Sequence, residues 1–218
     1  MRFLAPMRRP VGAIVLLCLL VSGCASLGPQ RGAPAAIPAD AAPTAGRLYH
    51  QNIDLSGRLA LRYEQKGAPQ ALDGKFTWAQ QGDTTQITLL TPFGQTLATI
   101  EVGPTTSTLT QAGQAPRSAA SVDSLVADTL GWPLPLAGLH EWLQGFATDM
   151  EGGRFTATAS AAGDAEYVHS AEGWLLHYPT WETNTGTEAR PRRIDLQRQT
   201  TQAGNVTLRI VLDQWQPR

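Results

Sequence analysis

From Asp54 onward, apolar residues fall on alternate positions in short runs broken by turn residues. A period of two confines such a chain to β-structure, and the close spacing of the runs makes it antiparallel. Leu55, Leu59, Leu61 and Tyr63 share one face of the first run, with Arg58 and Arg62 on the other. A polar turn is expected at 67–74, followed by a second strand in which Phe76 and Trp78 alternate with Lys75 and Thr77. Gln81-Gly82-Asp83 then turns the chain into a third strand through Ile87 and Leu89. Next comes a hairpin whose tip is Thr91-Pro92-Phe93-Gly94, where Pro presets φ at the second position of a type I turn and Gly relaxes the fourth. Its second arm runs from Leu97 to Val102, and 105–110 makes a fifth strand. Five more strands are expected at 154–159, 165–170, 173–179, 192–197 and 205–212, with a polar loop at 181–189 and Trp215 just past the last strand.

The middle of the chain has a different period. Ser121 caps a run with helical spacing through Val122, Leu125 and Val126 that ends at Gly131. A second short helix is expected over 136–143, with Leu139, Leu143 and Trp142 on it and Gly145 closing it. Gly131-Trp132-Pro133-Leu134-Pro135 forces a bend between the two. Two short helices among ten strands are most simply a cover laid on one face of the sheet.

The N-terminus carries a separate message. Arg2, Arg8 and Arg9 precede an apolar segment from Val11 to Val21, too short for the roughly twenty residues that a membrane span needs, so 1–23 reads as a signal peptide. Its close, Leu20-Val21-Ser22-Gly23-Cys24, resembles a bacterial lipobox, which makes Cys24 the acylated first residue of the mature chain. Ala25, in place of an Asp, then implies sorting to the outer membrane. Residues 24–46, Ala-rich and broken by Pro29, Pro34, Pro38 and Pro43, form a tether that at about 3.1 Å per residue reaches roughly 70 Å. The domain proper is 47–218. Cys18 leaves with the signal and Cys24 takes lipid, so stability must come from burial without a disulfide. Without its three signal arginines the chain has 14 basic residues against 18 acidic ones, a net −4, which argues against nucleic acid as partner.

No stretch matches a catalytic or nucleotide-binding signature, so no catalytic residue, cofactor or metal is expected. His169 and His177 could approach across a hairpin, but no third ligand stands near them, and two solvated strand histidines are the plainer account. Large apolar side chains are plentiful on one face of each strand. A filled core and a ligand cavity look alike in such a pattern.

Lipobox, Gly57-Arg58-Leu59-Ala60, Phe76-x-Trp78 with Gln80, Thr91-Pro92-Phe93-Gly94, Leu130-Gly131-Trp132-Pro133-Leu134-Pro135, Leu139-x-x-Trp142-Leu143-x-Gly145, Gly173-Trp174-x-x-x-Tyr178 and Val211-x-Asp213-x-Trp215 stand in an order that resembles the LolB family of outer-membrane lipoprotein receptors. The resemblance implies a mainly β fold: an unclosed antiparallel β-barrel of about ten to eleven strands, with an α-helical lid over an apolar cavity. It implies a monomeric receptor, not an enzyme, anchored in the outer membrane and facing the periplasm. Such a receptor accepts acylated lipoproteins from a LolA-like periplasmic carrier and places them in the inner leaflet of the outer membrane. An aromatic at a hairpin tip would by itself be expected to fold back onto a core. The family carries an exposed apolar residue there, so Phe93, held out by Pro92 and Gly94, takes the membrane or transfer role. Phe76, Trp78, Leu89, Ile100, Trp142, Trp174 and Leu176 are the expected lining of the acyl cavity. The alternative left open is a periplasm-facing lipoprotein that binds another lipid or a hydrophobic small molecule.

Overall fold

The computed structural model describes residues 47–130, 136–159, 167–183 and 188–218. Its strands are β1 Asn52–Gln65, β2 Ala68–Gln81, β3 Thr84–Leu90, β4 Thr96–Val102, β5 Ser107–Gln111 and β6 Arg117–Ala119 before the helices. Helix α1 is Val122–Leu130 and α2 is Leu136–Trp142. Then come β7 Phe146–Thr148, β8 Arg154–Thr156, β9 Tyr167–His169, β10 Leu175–Glu182, β11 Arg190–Thr200 and β12 Gly204–Pro217. Ten of the strands form one antiparallel sheet in the order β6-β5-β4-β3-β2-β1-β12-β11-β10-β9, while β7 and β8 pair separately. The sheet curls without closing, since its outermost strands β6 and β9 do not pair with each other. Both are only three residues long, which leaves little free backbone for unwanted strand addition.

Register lines up the inward residues in rows. Leu55 faces Trp78, which faces Ile87, then Ile100, then Leu109, across five strands. On the other side of β1, Leu61 faces Leu208, followed by Leu196, Leu176 and Val168. All of these are buried. Next to the first of these rows runs an outward one, Ser56, Thr77, Thr88, Thr99 and Thr110, hydroxyl beside hydroxyl. A slip of one residue in any strand would exchange these faces, so burial itself holds the register.

The helices cover the β5–β6 end. Ser121 caps α1, its Oγ accepting from Ser124 N at 3.2 Å. Val122, Leu125 and Val126 of α1, with Leu139 and Trp142 of α2, are buried beneath the cover. Gly145, at φ +80°, ends the turn after α2, its N–H donating to Trp142 O at 3.0 Å. The expected Gly131–Pro135 bend lies outside the described residues.

Several local expectations differ. Residues 68–74 are strand, not turn, because the chain reverses within Lys66-Gly67 alone, at φ 53° and 76°. Both central residues then have the positive φ of the tight hairpin turn that suits strand twist. Gly74 is not a turn residue; it lies where a Cβ would stand 2.6 Å from Leu90 O, so it marks close approach of β3. Trp181 and Glu182 continue β10, and Trp215 lies within β12, opposite Leu55. The short strands β6 and β7 were not expected, and β8 pairs with β7 outside the main sheet.

Candidate functional site

Between the inner face of β1–β5 and β12 and the two helices lies a cavity of about 330 Å³. Phe76, Trp78, Ile87, Leu89, Ile100 and Leu109 form its sheet wall, and Val126, Leu136 and Leu139 its helical wall. The polar residues of the lining are mostly engaged elsewhere. Thr129 Oγ1 donates to Leu125 O of its own helix at 2.8 Å, and Gln111 Oε1 accepts from Arg117 at 3.3 Å. Trp78 gives its indole N–H to Gln80 Oε1 at 3.3 Å, while Gln80 Nε2 donates to Tyr49 Oη at 2.9 Å. Lys75 is the charged residue of the lining and is itself exposed. The wall can therefore exclude water from an apolar ligand, but converges few polar groups that could orient a polar one.

The mouth is marked by leucines that stay partly uncovered. Leu72, Leu89 and Leu90 are half-buried, and Leu97 is 42% exposed. Leu90 and Leu97 flank the hairpin tip. In that tip Gly94 N donates to Thr91 O at 2.9 Å, closing the expected turn, and Thr91 N donates to Gln95 O at 2.8 Å. Thr91 Oγ1 accepts from Gln95 N at 3.1 Å as well. Gly94 sits at φ +92°, a conformation that a side chain would strain. Pro92 fixes the first corner, and between them Phe93 is 96% exposed. Thr91 therefore accepts two hydrogen bonds and donates one at the base of the loop, which braces an aromatic ring with almost no protein contact.

One carboxylate ties the two helices together. Asp123, in the first turn of α1, accepts from Ala137 N in the first turn of α2 at 3.0 Å. Burial pushes its carboxyl above the usual aspartate range, with the backbone bonds from Ala137 and Leu136 pulling back. Asp123→Ala removes the cap and is expected to cost about 1 kcal/mol. A thermal unfolding midpoint equal to that of the parent chain would show that this link contributes nothing.

Of the residues expected to line a cavity, Phe76, Trp78, Leu89 and Ile100 do stand in this wall. Trp142, Trp174 and Leu176 do not: they are fully buried in packed core, with Trp142 O accepting from Tyr178 Oη at 3.2 Å. Leu176 belongs to the Leu61–Val168 row, of which Leu61 and Leu208 border the cavity while Leu176, two strands beyond Leu208 on β10, does not. The residues missed include Leu59 and Leu61 of β1, Leu72, Ile87, Leu97 and Leu109, Leu208 and Ile210 of β12, and the helical Val126, Leu136 and Leu139. Ile87 and Leu109 share the alternation and could have been found by extending it; Leu97 could not, because a register shift beside Leu90 turns it inward at the rim. Cys24 lies outside the described residues.

Fold and site together define an incompletely closed, helix-lidded β-barrel with an apolar interior and an exposed apolar tip beside its mouth. The chain belongs to the LolB family: the family model described as "Outer membrane lipoprotein LolB" matches residues 51–215. It is similar to the outer-membrane lipoprotein LolB of Ralstonia nicotianae, with 36% identity over 94% of this chain and 97% of that one. The protein of the same name from Cupriavidus metallidurans is 34% identical over 92% of this chain and 95% of that one. Among solved structures, a LolA superfamily protein from Nitrosomonas europaea matches with a TM-score of 0.43 and 10% identity, covering 77% of this chain and 87% of that one.

Proposed function

We propose that this chain is an outer-membrane lipoprotein receptor that takes acylated lipoproteins from a LolA-like periplasmic carrier and inserts them into the outer membrane. The single observation that carries the reading is the pairing of an apolar cavity with a 96% exposed Phe93 braced at its rim. Acyl chains gain about 0.8 kcal/mol for each CH₂ removed from water, so a lipoprotein with several chains does not cross the periplasm unaided. A dry cavity receives the chains without exposing them. Phe93, with Pro92 and Gly94 holding it out, then touches the bilayer and gives the chains a continuous apolar route. Acylated Cys24 anchors the protein, 24–46 is the tether, and 47–218 works in the periplasm. Transfer needs no nucleotide if affinity rises from carrier to receptor to membrane, since each tenfold step takes only about 1.4 kcal/mol.

Depletion of the protein from its own cells tests this. The expected result is a carrier that stays loaded and lipoproteins that fail to reach the outer membrane, measured by membrane fractionation. Correct sorting after depletion would overturn the proposal and favour binding of some other lipid.

A further inference from the structure

Strands β1 and β2 run on beyond their neighbour β3. The β2–β3 pairing extends from Gln81 to Lys75, which faces Leu90, and the chain turns away at Thr91. Among the described residues, the seven residues 68–74 of β2 therefore pair with β1 alone. Which main-chain groups stay open follows from the turn. Gln65 and Ala68 face each other across a two-residue turn and so form a hydrogen-bonded pair, as does every second pair after it. Ala68, Gln70, Leu72 and Gly74 thus direct N–H and C=O to β1, whereas Pro69, Ala71 and Asp73 direct theirs outward. The two-residue turn between Gln81 and Thr84 likewise makes Lys75 and Leu90 a hydrogen-bonded pair, with the Lys75 main chain directed away from β1. Pro69 falls where a missing N–H costs no ladder bond.

This open edge starts at the cavity, because Leu72 and Gly74 of the same segment line its wall. We propose that the outward main chain of Ala71 and Asp73 receives, by strand addition, the extended peptide that follows the acylated cysteine of an incoming lipoprotein. The inference rests on the cavity holding acyl chains. With chains inside, the cysteine that bears them sits at the mouth, and the free edge of β2 is the unpaired backbone that borders the cavity there. The overhang, at about 3.4 Å per residue, spans roughly 24 Å and matches about seven extended residues. Main-chain bonds read extension and not sequence, which suits a receptor whose cargoes differ. Asp73 keeps its carboxylate on the outer face, bound by Arg62 at 3.0 and 3.1 Å, so the edge is clear of that side chain.

The full chain is mixed with a synthetic lipopeptide, an acylated cysteine followed by eight residues, whose acyl chains carry a photo-crosslinker. Cross-links to Leu89 or Ile100 report acyl entry, and hydrogen exchange at the Ala71 and Asp73 amides reports strand addition. The expected result is cross-linking together with at least about tenfold slower exchange at both amides, and loss of that slowing alone when alternate peptide nitrogens are methylated. Ala71→Pro, which removes an outward N–H, is expected to weaken lipopeptide binding about tenfold. Cross-links without amide protection overturn the edge proposal while the cavity reading stands. Absence of cross-links to the cavity wall overturns both. Protection that rises with protein concentration in the absence of lipopeptide assigns the edge to a second copy and also overturns the proposal.

Discussion

Phe93→Glu is expected to leave the protein folded and able to accept a lipoprotein, yet to lower insertion into membranes by about a hundredfold. The first half follows from exposure: a ring that is 96% exposed has almost no protein contact to lose, and such substitutions stay within about 0.5 kcal/mol. The second half follows from what the ring would touch. Burying a Phe side chain in an apolar medium gains about 1.5–3 kcal/mol, and a carboxylate at the same place must be kept in water. A loss near 3 kcal/mol at the membrane encounter corresponds to roughly two factors of ten in rate. Phe93→Leu keeps an apolar tip and should insert within a few-fold of the parent. The measurements are the thermal midpoint of the full chain, its loading by carrier, and transfer of lipoprotein into liposomes. Insertion by Phe93→Glu at the parental rate would falsify the role of the tip, and a drop of several kcal/mol in stability would make Phe93 a structural residue.

Trp174→Ala gives the opposite outcome, a chain destabilised by about 3–5 kcal/mol. Trp174 is 0% exposed and follows the turn in which Gly173 N donates to Ser170 O at 2.8 Å. Nothing of it reaches the cavity, so removal opens a new void in packed core and does not enlarge an existing space. For a domain of this size the thermal midpoint is expected to fall by roughly 10 °C. Its indole N–H has no acceptor among the described residues. Trp174→Phe deletes that unpaired donor along with part of the ring, so it should cost clearly less than the alanine change. Whatever fraction of Trp174→Ala folds should still take up lipoprotein. Equal midpoints for the alanine variant and the parent, with impaired uptake, would return Trp174 to the ligand-binding wall.

The contrast between these two residues marks what could be read from the chain directly. Alternation put Leu55, Phe76, Trp78 and Ile87 on inward faces, and each is buried. Turn chemistry put Phe93 at a tip, because Pro92 and Gly94 act locally and need no distant partner. The reversal expected over 67–74 is confined to Lys66-Gly67, since a lysine at positive φ has no composition signal and the next glycine, Gly74, pointed to a turn where there is strand. Leu97 escaped for a related reason: its direction depends on a shifted register against β3, not on its own parity.

The cavity was the least legible feature. Trp142, Trp174 and Leu176 carry the same alternating or helical signature as Ile100 and Leu139, yet the first three fill core while the others border space. The sequence by itself determined an antiparallel β-chain with a short helical cover, its inward residues, and an aromatic turn tip, since each depends on neighbours a few positions away. The open barrel and its lidded cavity were implied by the family resemblance and not by alternation, and only the tertiary structure decided that β2 overhangs β3 and which side chains border the void under α1 and α2. Alternation records the direction of a side chain, and what stands opposite it is set by strands and helices far off in the sequence.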